Sequence, residues 1–241
     1  MVMAVVIVLG VAVFLVWPPA TVASVAEWFA HFQTNALRGL LDLDLLMLLG
    51  NLAAIPIWVA SFVAVWRTSP SLAALAAPLG LVGAATYFSS SRLFEMLALS
   101  SQYAAATSAA ERAMLEAAGQ SMLTTYLGAF AATTGTAPAF WSFQGTAFNI
   151  SFALTAVAGI LISAAMLRSP AFGKLAGYVG LAGNALALGL FVPLAGIWLS
   201  VLSLPLLLVW YVRLAQCFWR LGRANSAGVA GSASYGLPLA H

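Results

Sequence analysis

Five charged side chains near the ends of two apolar segments have the types and spacing that a polar membrane site needs. They are Arg38, Asp42, Asp44, Arg92 and Glu95. Residues four apart share one face of a helix, so Arg38 and Asp42 can form an ion pair. The same holds, at a spacing of three, for Arg92 and Glu95. Such a cluster could be an ion-pair network between helices, a binding site for a small molecule or lipid headgroup, or a set of catalytic or proton-carrying carboxylates.

The composition shows what kind of element must position these side chains. The chain has 241 residues, of which 63% are hydrophobic and only 6% charged. A soluble domain has about 25% charged residues, and this chain has too little polar surface to cover a water-soluble globule. The expected fold class is therefore all-α, a polytopic membrane protein. The net charge of +3 indicates membrane topology rather than a nucleic-acid partner.

Hydropathy predicts a bundle of about six transmembrane helices in one domain, residues 1–223. The predicted spans are residues 2–17, 40–66, 72–98, 142–167, 173–191 and 196–219. The segment 2–17 is expected to be a short retained span rather than a cleaved signal peptide, because it lacks a basic leading region. The Ala/Ser/Gly-rich residues 224–241 are expected to form a flexible tail.

Two connections are predicted to carry structure on the outer side. Residues 21–36 mix aromatic and polar side chains in the manner of a helix that lies in the membrane interface. In the long connection between the third and fourth spans, Ser108 and Glu111 match a capping box that begins a helix over 109–127.

The basic residues predict which end of the bundle faces the cytoplasm. Six of the nine Lys and Arg residues fall on one side: Arg67, Arg168, Lys174, Arg213, Arg220 and Arg223. The other side holds Arg38, Arg92, Arg112 and all six acidic residues. Excess Lys and Arg mark cytoplasmic loops, so both termini are expected inside. Arg92 then lies about 30 Å along its helix, at the outer boundary beside Asp42 and Asp44.

Small and amide side chains within the spans predict how the helices pack. Gly173, Gly177, Gly180 and Gly183 recur at three- and four-residue steps, as in helix-packing faces. Asn51, Asn149 and Asn184 lie in three different spans, where hydrogen bonds between helices are favoured over a ligand site. Aromatic belts are expected from Trp28, Trp141, Trp198 and Tyr126 outside, and from Trp66, Trp210, Tyr211 and Trp219 inside.

No catalytic, metal or cofactor motif stands out in the sequence. Cys217 is the only cysteine, which excludes an internal disulfide and a paired-cysteine metal site. Glu27 and His31 have a spacing that could hold a metal, but a surface pair on an interfacial helix is favoured because too few other ligands lie near. We therefore predict neither a metal nor a cofactor.

Residues 91–126, 145–186 and 192–221 resemble the DUF4386 family of uncharacterised bacterial integral membrane proteins. The matching features are Arg92 and Glu95, an alanine-rich acidic helix before the fourth span, and an "RS…GKLAGY-G" turn after it. The short first span and residues 128–143, which look like an insertion, depart from the family pattern. The resemblance implies a six-helix protein of the bacterial cytoplasmic membrane and transfers no catalytic residue.

The sequence favours a membrane protein that works by association, because packing signals outnumber chemical ones. Such a protein would be a non-enzymatic accessory or assembly subunit, or a binder of lipid or another hydrophobic molecule. Its expected partners are the bilayer and another membrane protein or a second copy, with no nucleic acid. The alternative is a transporter or permease that uses Asp42, Arg92 and Glu95 as a gate or proton site, although internal repeats and midplane charges are lacking. A membrane enzyme that acts on lipid at the outer boundary is a further alternative.

Overall fold

The computed structural model describes residues 24–127, 145–192 and 194–234, together with a few isolated positions before residue 24. These residues fold into helices, with no strand among them. The predicted first span, 2–17, falls largely outside the described residues. The predicted insertion at 128–143 and the end of the tail at 235–241 lie entirely outside them.

The chain forms nine α-helices over the described residues, in two groups. The first group comprises α3 (Leu45–Trp66), α4 (Pro70–Ser90), α7 (Thr146–Arg168), α8 (Lys174–Leu188) and α9 (Gly196–Ser234). The second group comprises α1 (Val25–Thr34), α2 (Ala36–Leu43), α5 (Leu93–Ala105) and α6 (Ala109–Leu127). A short 3-10 turn, Gly189–Phe191, follows α8.

The helices of the first group form a row in which each packs chiefly on its neighbours. The helix α3 packs on α4, α4 on α7, α7 on α8, and α8 on α9. Within the described chain, five segments are long and apolar enough to cross a membrane. The 22 residues of α3 rise about 33 Å, close to the hydrocarbon thickness of a bilayer. This arrangement confirms the predicted all-α polytopic membrane protein.

Small residues let the helices of this row approach closely. Gly177 lies against Leu167 of α7, and Gly180 lies between Ser163 of α7 and Trp210 of α9. Gly183 continues the same face against Leu206 and Leu207 of α9. The predicted packing glycines therefore act within the chain, between α7, α8 and α9.

Gly173 differs from the other three glycines of the predicted packing face. It precedes α8 as its N-cap, and a Cβ atom added there would meet nothing within 4 Å. The helix begins only at Lys174, so the face starts one turn later than the spacing indicated.

Two of the three asparagines, Asn51 and Asn184, make hydrogen bonds within their own helices, whereas bonds between helices were expected. The amide nitrogen of Asn51 donates to the Met47 carbonyl at 3.0 Å, and that of Asn184 donates to the Gly180 carbonyl at 2.7 Å. Each of these bonds stays within one helix, because the i−4 carbonyl is already within reach of a short amide side chain. The Asn184 side chain nevertheless packs on Gly159 of α7. Asn149 lies in the first turn of α7 and is half-buried.

The helices of the second group form a separate unit at one end of the row, here named the cap: α1, α2, α5 and α6. The cap has its own apolar core, which includes Phe29, Phe32, Leu93, Met96 and Leu123. Its helices are also tied by polar contacts, such as the hydrogen bond of 2.9 Å from the Ser100 hydroxyl to the Phe29 carbonyl. The predicted interfacial helix is therefore part of a larger assembly of helices.

The capping box at the start of α6 is confirmed. The Glu111 amide donates to the Ser108 hydroxyl oxygen at 3.1 Å. The Glu111 carboxylate accepts from the Thr107 amide at 3.2 Å, one residue before the expected position. The helix that follows, Ala109–Leu127, has the predicted bounds.

Two predicted spans are interrupted where the row meets the cap. The expected span 40–66 breaks at Asp44, between α2 and α3, and the expected span 72–98 breaks at Ser91 and Arg92, between α4 and α5. Ser91 has extended backbone, with φ −62° and ψ 135°. Hydropathy does not register these breaks because it is averaged over a window of about 19 residues, much longer than either break. The helix α9 instead runs past the expected boundary at residue 223, to Ser234.

Candidate functional site

The candidate site lies where the two helix breaks come together. Asp44 is the last residue before α3, and its carboxylate makes no capping bond to that helix. It accepts a short hydrogen bond from the Tyr87 hydroxyl of α4 and a longer one, 3.4 Å, from the Ser91 hydroxyl. All three side chains belong to buried residues, so the contact joins the start of α3 to the end of α4 inside the protein.

A second carboxylate, that of Asp42, holds the two helices of the α1–α2 hairpin together. Its side chain is only 7% exposed and lies 2.8 Å from the Nε2 atom of His31 in α1. The Nε atom of Arg38 lies 3.5 Å from the same carboxylate oxygen. The turn between the helices is set by Asn35, whose side chain accepts from the Arg38 amide at 3.0 Å.

Arg92 and Glu95 form the third contact of the predicted cluster. Their closest charged atoms are 3.6 Å apart, and both side chains are substantially exposed, at 32% and 47%. The contact that the structure gives Arg92 is this pair within the break and first turn of α5, rather than a bond to Asp42. An exposed pair of this kind contributes little stability.

The five predicted side chains therefore divide into three contacts at the junction between cap and row. Two partners were missed from sequence: His31 and Tyr87. His31 was assigned to a surface pair with Glu27, although it faces Asp42 across the Asn35 turn. Tyr87 looked like an ordinary aromatic residue of a span, but Tyr87 and Ser91 are four apart and share a helix face. That spacing was the available signal.

The remaining acidic side chains of the cap also have partners within the chain. The Tyr103 hydroxyl donates to Glu116 at 2.6 Å, which ties α5 to α6. Within the described ranges, no three His, Cys, Asp or Glu side chains come together in a way that could hold a metal ion. The chemistry of the site is thus hydrogen bonding between elements of one chain, and it includes buried carboxylates at the end of the membrane spans.

Fold and site together define a polytopic helical membrane protein with a cap of short helices. No protein-family model, curated protein or solved structure matches the chain. The resemblance to the DUF4386 family stays a prediction.

Proposed function

We propose that this protein is a non-enzymatic accessory or assembly subunit of the bacterial cytoplasmic membrane that works by association with another membrane-spanning chain. Membership of the DUF4386 family is part of the same proposal. In this function the row of spans binds the partner chain within the bilayer, and the cap is fixed to the row outside the membrane.

The observation that carries the proposal is that the carboxylates at the junction are occupied by partners within the chain. Asp42 is held by His31 and Arg38, while Asp44 is held by Tyr87 and Ser91. Buried carboxylates need such partners, since an unpaired charge away from water is costly. This pattern is what a lock between cap and spans requires, and it leaves those acids committed to structure rather than to a substrate.

The position of the acids also favours association over transport. Residues 45–94 and 117–241 contain no Asp or Glu, and they include four of the five described spans in full. The fifth span, Pro70–Ala105, contains Glu95 beyond the break at Ser91 and Arg92. A carrier that couples protons or cations places ionisable side chains near the bilayer midplane. Here the acidic side chains lie at one end of the spans and beyond it.

The helix α9 offers the least covered surface for a membrane partner. In its most apolar stretch 17% of the residues are buried, compared with 28% to 44% in the other four spans. It lies at the end of the row, and Trp198, Leu202 and Val209 are exposed along one side. We assign the partner's contact to this side.

Native gel electrophoresis and light scattering of the protein in mild detergent test the proposal. The expected result is a species larger than the monomer that contains a second membrane chain or a second copy. Leu202→Trp should reduce that species, because a bulky ring fits poorly into a helix interface. Leu52→Trp on α3 is the matched control, since the two leucines are 57% and 56% exposed. A monomer that binds no partner would refute the proposed function.

A further inference from the structure

The end of the row opposite the cap carries a group of basic side chains that the proposed function does not use. This surface, the basic end, comprises Arg67, Arg168, Lys174, Arg213, Arg220 and Arg223. All six residues are exposed. They come from the end of α3, the end of α7, the start of α8 and the second half of α9.

Core contacts show that these segments meet at one end of the molecule. Val65 of α3, Phe172 of the α7–α8 loop and Leu214 of α9 belong to one buried cluster. The rings of Phe172 and Phe218 are 6.1 Å apart at 90°. The basic residues lie within a few positions of these core residues, so the core gathers their backbones around one end.

The basic end has no acidic side chain of its own to neutralise it. Along the chain, the acidic residues nearest to Arg67 are Asp44 and Glu95, and the one nearest to Arg168 is Glu116. All of these belong to the junction or the cap, at the far end of helices about 30 Å long. The guanidinium of Arg213 donates a hydrogen bond to an uncharged group, the side-chain oxygen of Gln216, at 3.4 Å.

Exposed tryptophans place these cations at the depth of the lipid headgroups. Trp66, beside Arg67, is 45% exposed, and Trp219, beside Arg220, is 68% exposed. Tryptophan prefers the membrane–water interface, where its ring reaches the headgroup level. The Arg223 guanidinium lies 5.4 Å from the centre of the Trp219 ring and is held at the same level.

We infer that the basic end binds the phosphates of anionic phospholipids in the leaflet that surrounds it. Guanidinium groups bind phosphate oxygens through paired hydrogen bonds. Basic residues just beyond a span are attracted to an anionic leaflet, and the attraction grows with each Lys or Arg. Six such side chains from four helices would hold several headgroups and fix the depth of the row in the bilayer.

Native mass spectrometry of the detergent-solubilised protein tests this binding with two probes, phosphatidylglycerol and phosphatidylcholine. The wild-type chain should bind phosphatidylglycerol more tightly, with a preference that weakens as salt increases. Arg168→Gln with Lys174→Gln should reduce that preference about tenfold. A matched double variant at the cap end, Arg92→Gln with Arg112→Gln, removes the same charge and should keep it.

The controls separate a lipid site from general charge and from unfolding. Equal binding of the two lipids by the wild-type chain would overturn the inference, and so would an equal loss in both double variants. Inorganic phosphate that competes at millimolar concentration would also overturn it, because the site would then recognise a free anion. If the first variant melts early in detergent, Arg220→Gln with Arg223→Gln replaces it. Because the result depends on lipid preference and not on the number of chains in the complex, this test can fail independently of the proposed function.

Discussion

Asp44 links two helices through its side chain and does not cap the helix that it precedes. Aspartate is among the preferred N-cap residues, because its carboxylate can accept from the first free amides of a helix. At the start of α3 that bond is absent, and the carboxylate turns to Tyr87 and Ser91 at the end of α4. Its charge still lies at the positive end of the α3 dipole. The position therefore suits a buried acid that fastens the entrance of one span to the exit of the next.

Removing the Tyr87 hydroxyl tests this link at the scale of a single atom. We expect Tyr87→Phe to lower the free energy of unfolding by about 1–3 kcal/mol, because it takes a donor from a buried carboxylate. Thermal unfolding in detergent measures the effect. Tyr178→Phe is the control, since Tyr178 is 59% exposed and its loss of a hydroxyl should change stability little. Equal melting of both variants would show that the Tyr87 bond is not a stabilising one.

At the scale of elements, the close approach of three helices depends on Gly180 in α8. A Cβ atom added at Gly180 would meet the Oγ atom of Ser163 in α7 and the Nε1 atom of Trp210 in α9. Both side chains are almost fully buried, at 0% and 1% exposure. Three helices therefore meet at a position where no side chain fits, and close approach of this kind is the main source of packing between membrane helices.

A single methyl group at this position should push the three helices apart. We expect Gly180→Ala to destabilise the protein by about 1–3 kcal/mol through overpacking. Gly173→Ala is the matched control, because a Cβ atom there meets nothing within 4 Å. Thermal unfolding of the two variants in the same detergent gives the comparison. If Gly180→Ala is as stable as the wild-type chain, the contact between α7, α8 and α9 can accommodate a methyl group and the prediction is wrong.

At the scale of the whole molecule, the chain separates its charges between two ends. The acidic side chains belong to the cap and its junction, while the six exposed residues of the basic end surround the opposite end. Each end also has its own apolar core, one around Phe29 and Met96 and the other around Trp210 and Met166. From this separation we predict that the protein has one preferred direction across a bilayer.

This direction predicts the topology, with the basic end in the cytoplasm and the cap outside. Single cysteines introduced as Ala171→Cys and Ala113→Cys, in a Cys217→Ser background, place one exposed label at each end. A membrane-impermeant maleimide should label Ala113→Cys in intact cells. It should label Ala171→Cys only after the membrane is opened. The reverse pattern would invert the topology.

The predicted inner aromatic belt shows that the sequence pattern does not distinguish an exposed tryptophan from a buried one. Trp66 and Trp219 are exposed, as the predicted inner belt requires, but Trp210 is 1% exposed and packs in the core. Trp210 and Trp219 are nine positions apart on one helix and face different ways. A tryptophan's hydropathy is the same in a belt and in a core, so only the neighbouring helices distinguish the two.

The sequence by itself determined the membrane class, the approximate spans, the capping box of α6 and the separation of acidic from basic residues. These properties depend on composition and on spacing within one helix, which a linear pattern records directly. Only the tertiary structure decided that Asp42 meets His31, that Asp44 meets Tyr87, and that short helices gather into a cap. Those contacts join residues 11 and 43 positions apart, and they depend on breaks at Asp44 and Ser91 that are too short for a hydropathy window to detect. The predicted cluster of five charges is thus three separate contacts. The breaks at Asp44 and Ser91 end the continuous helices on which the prediction of one cluster depended.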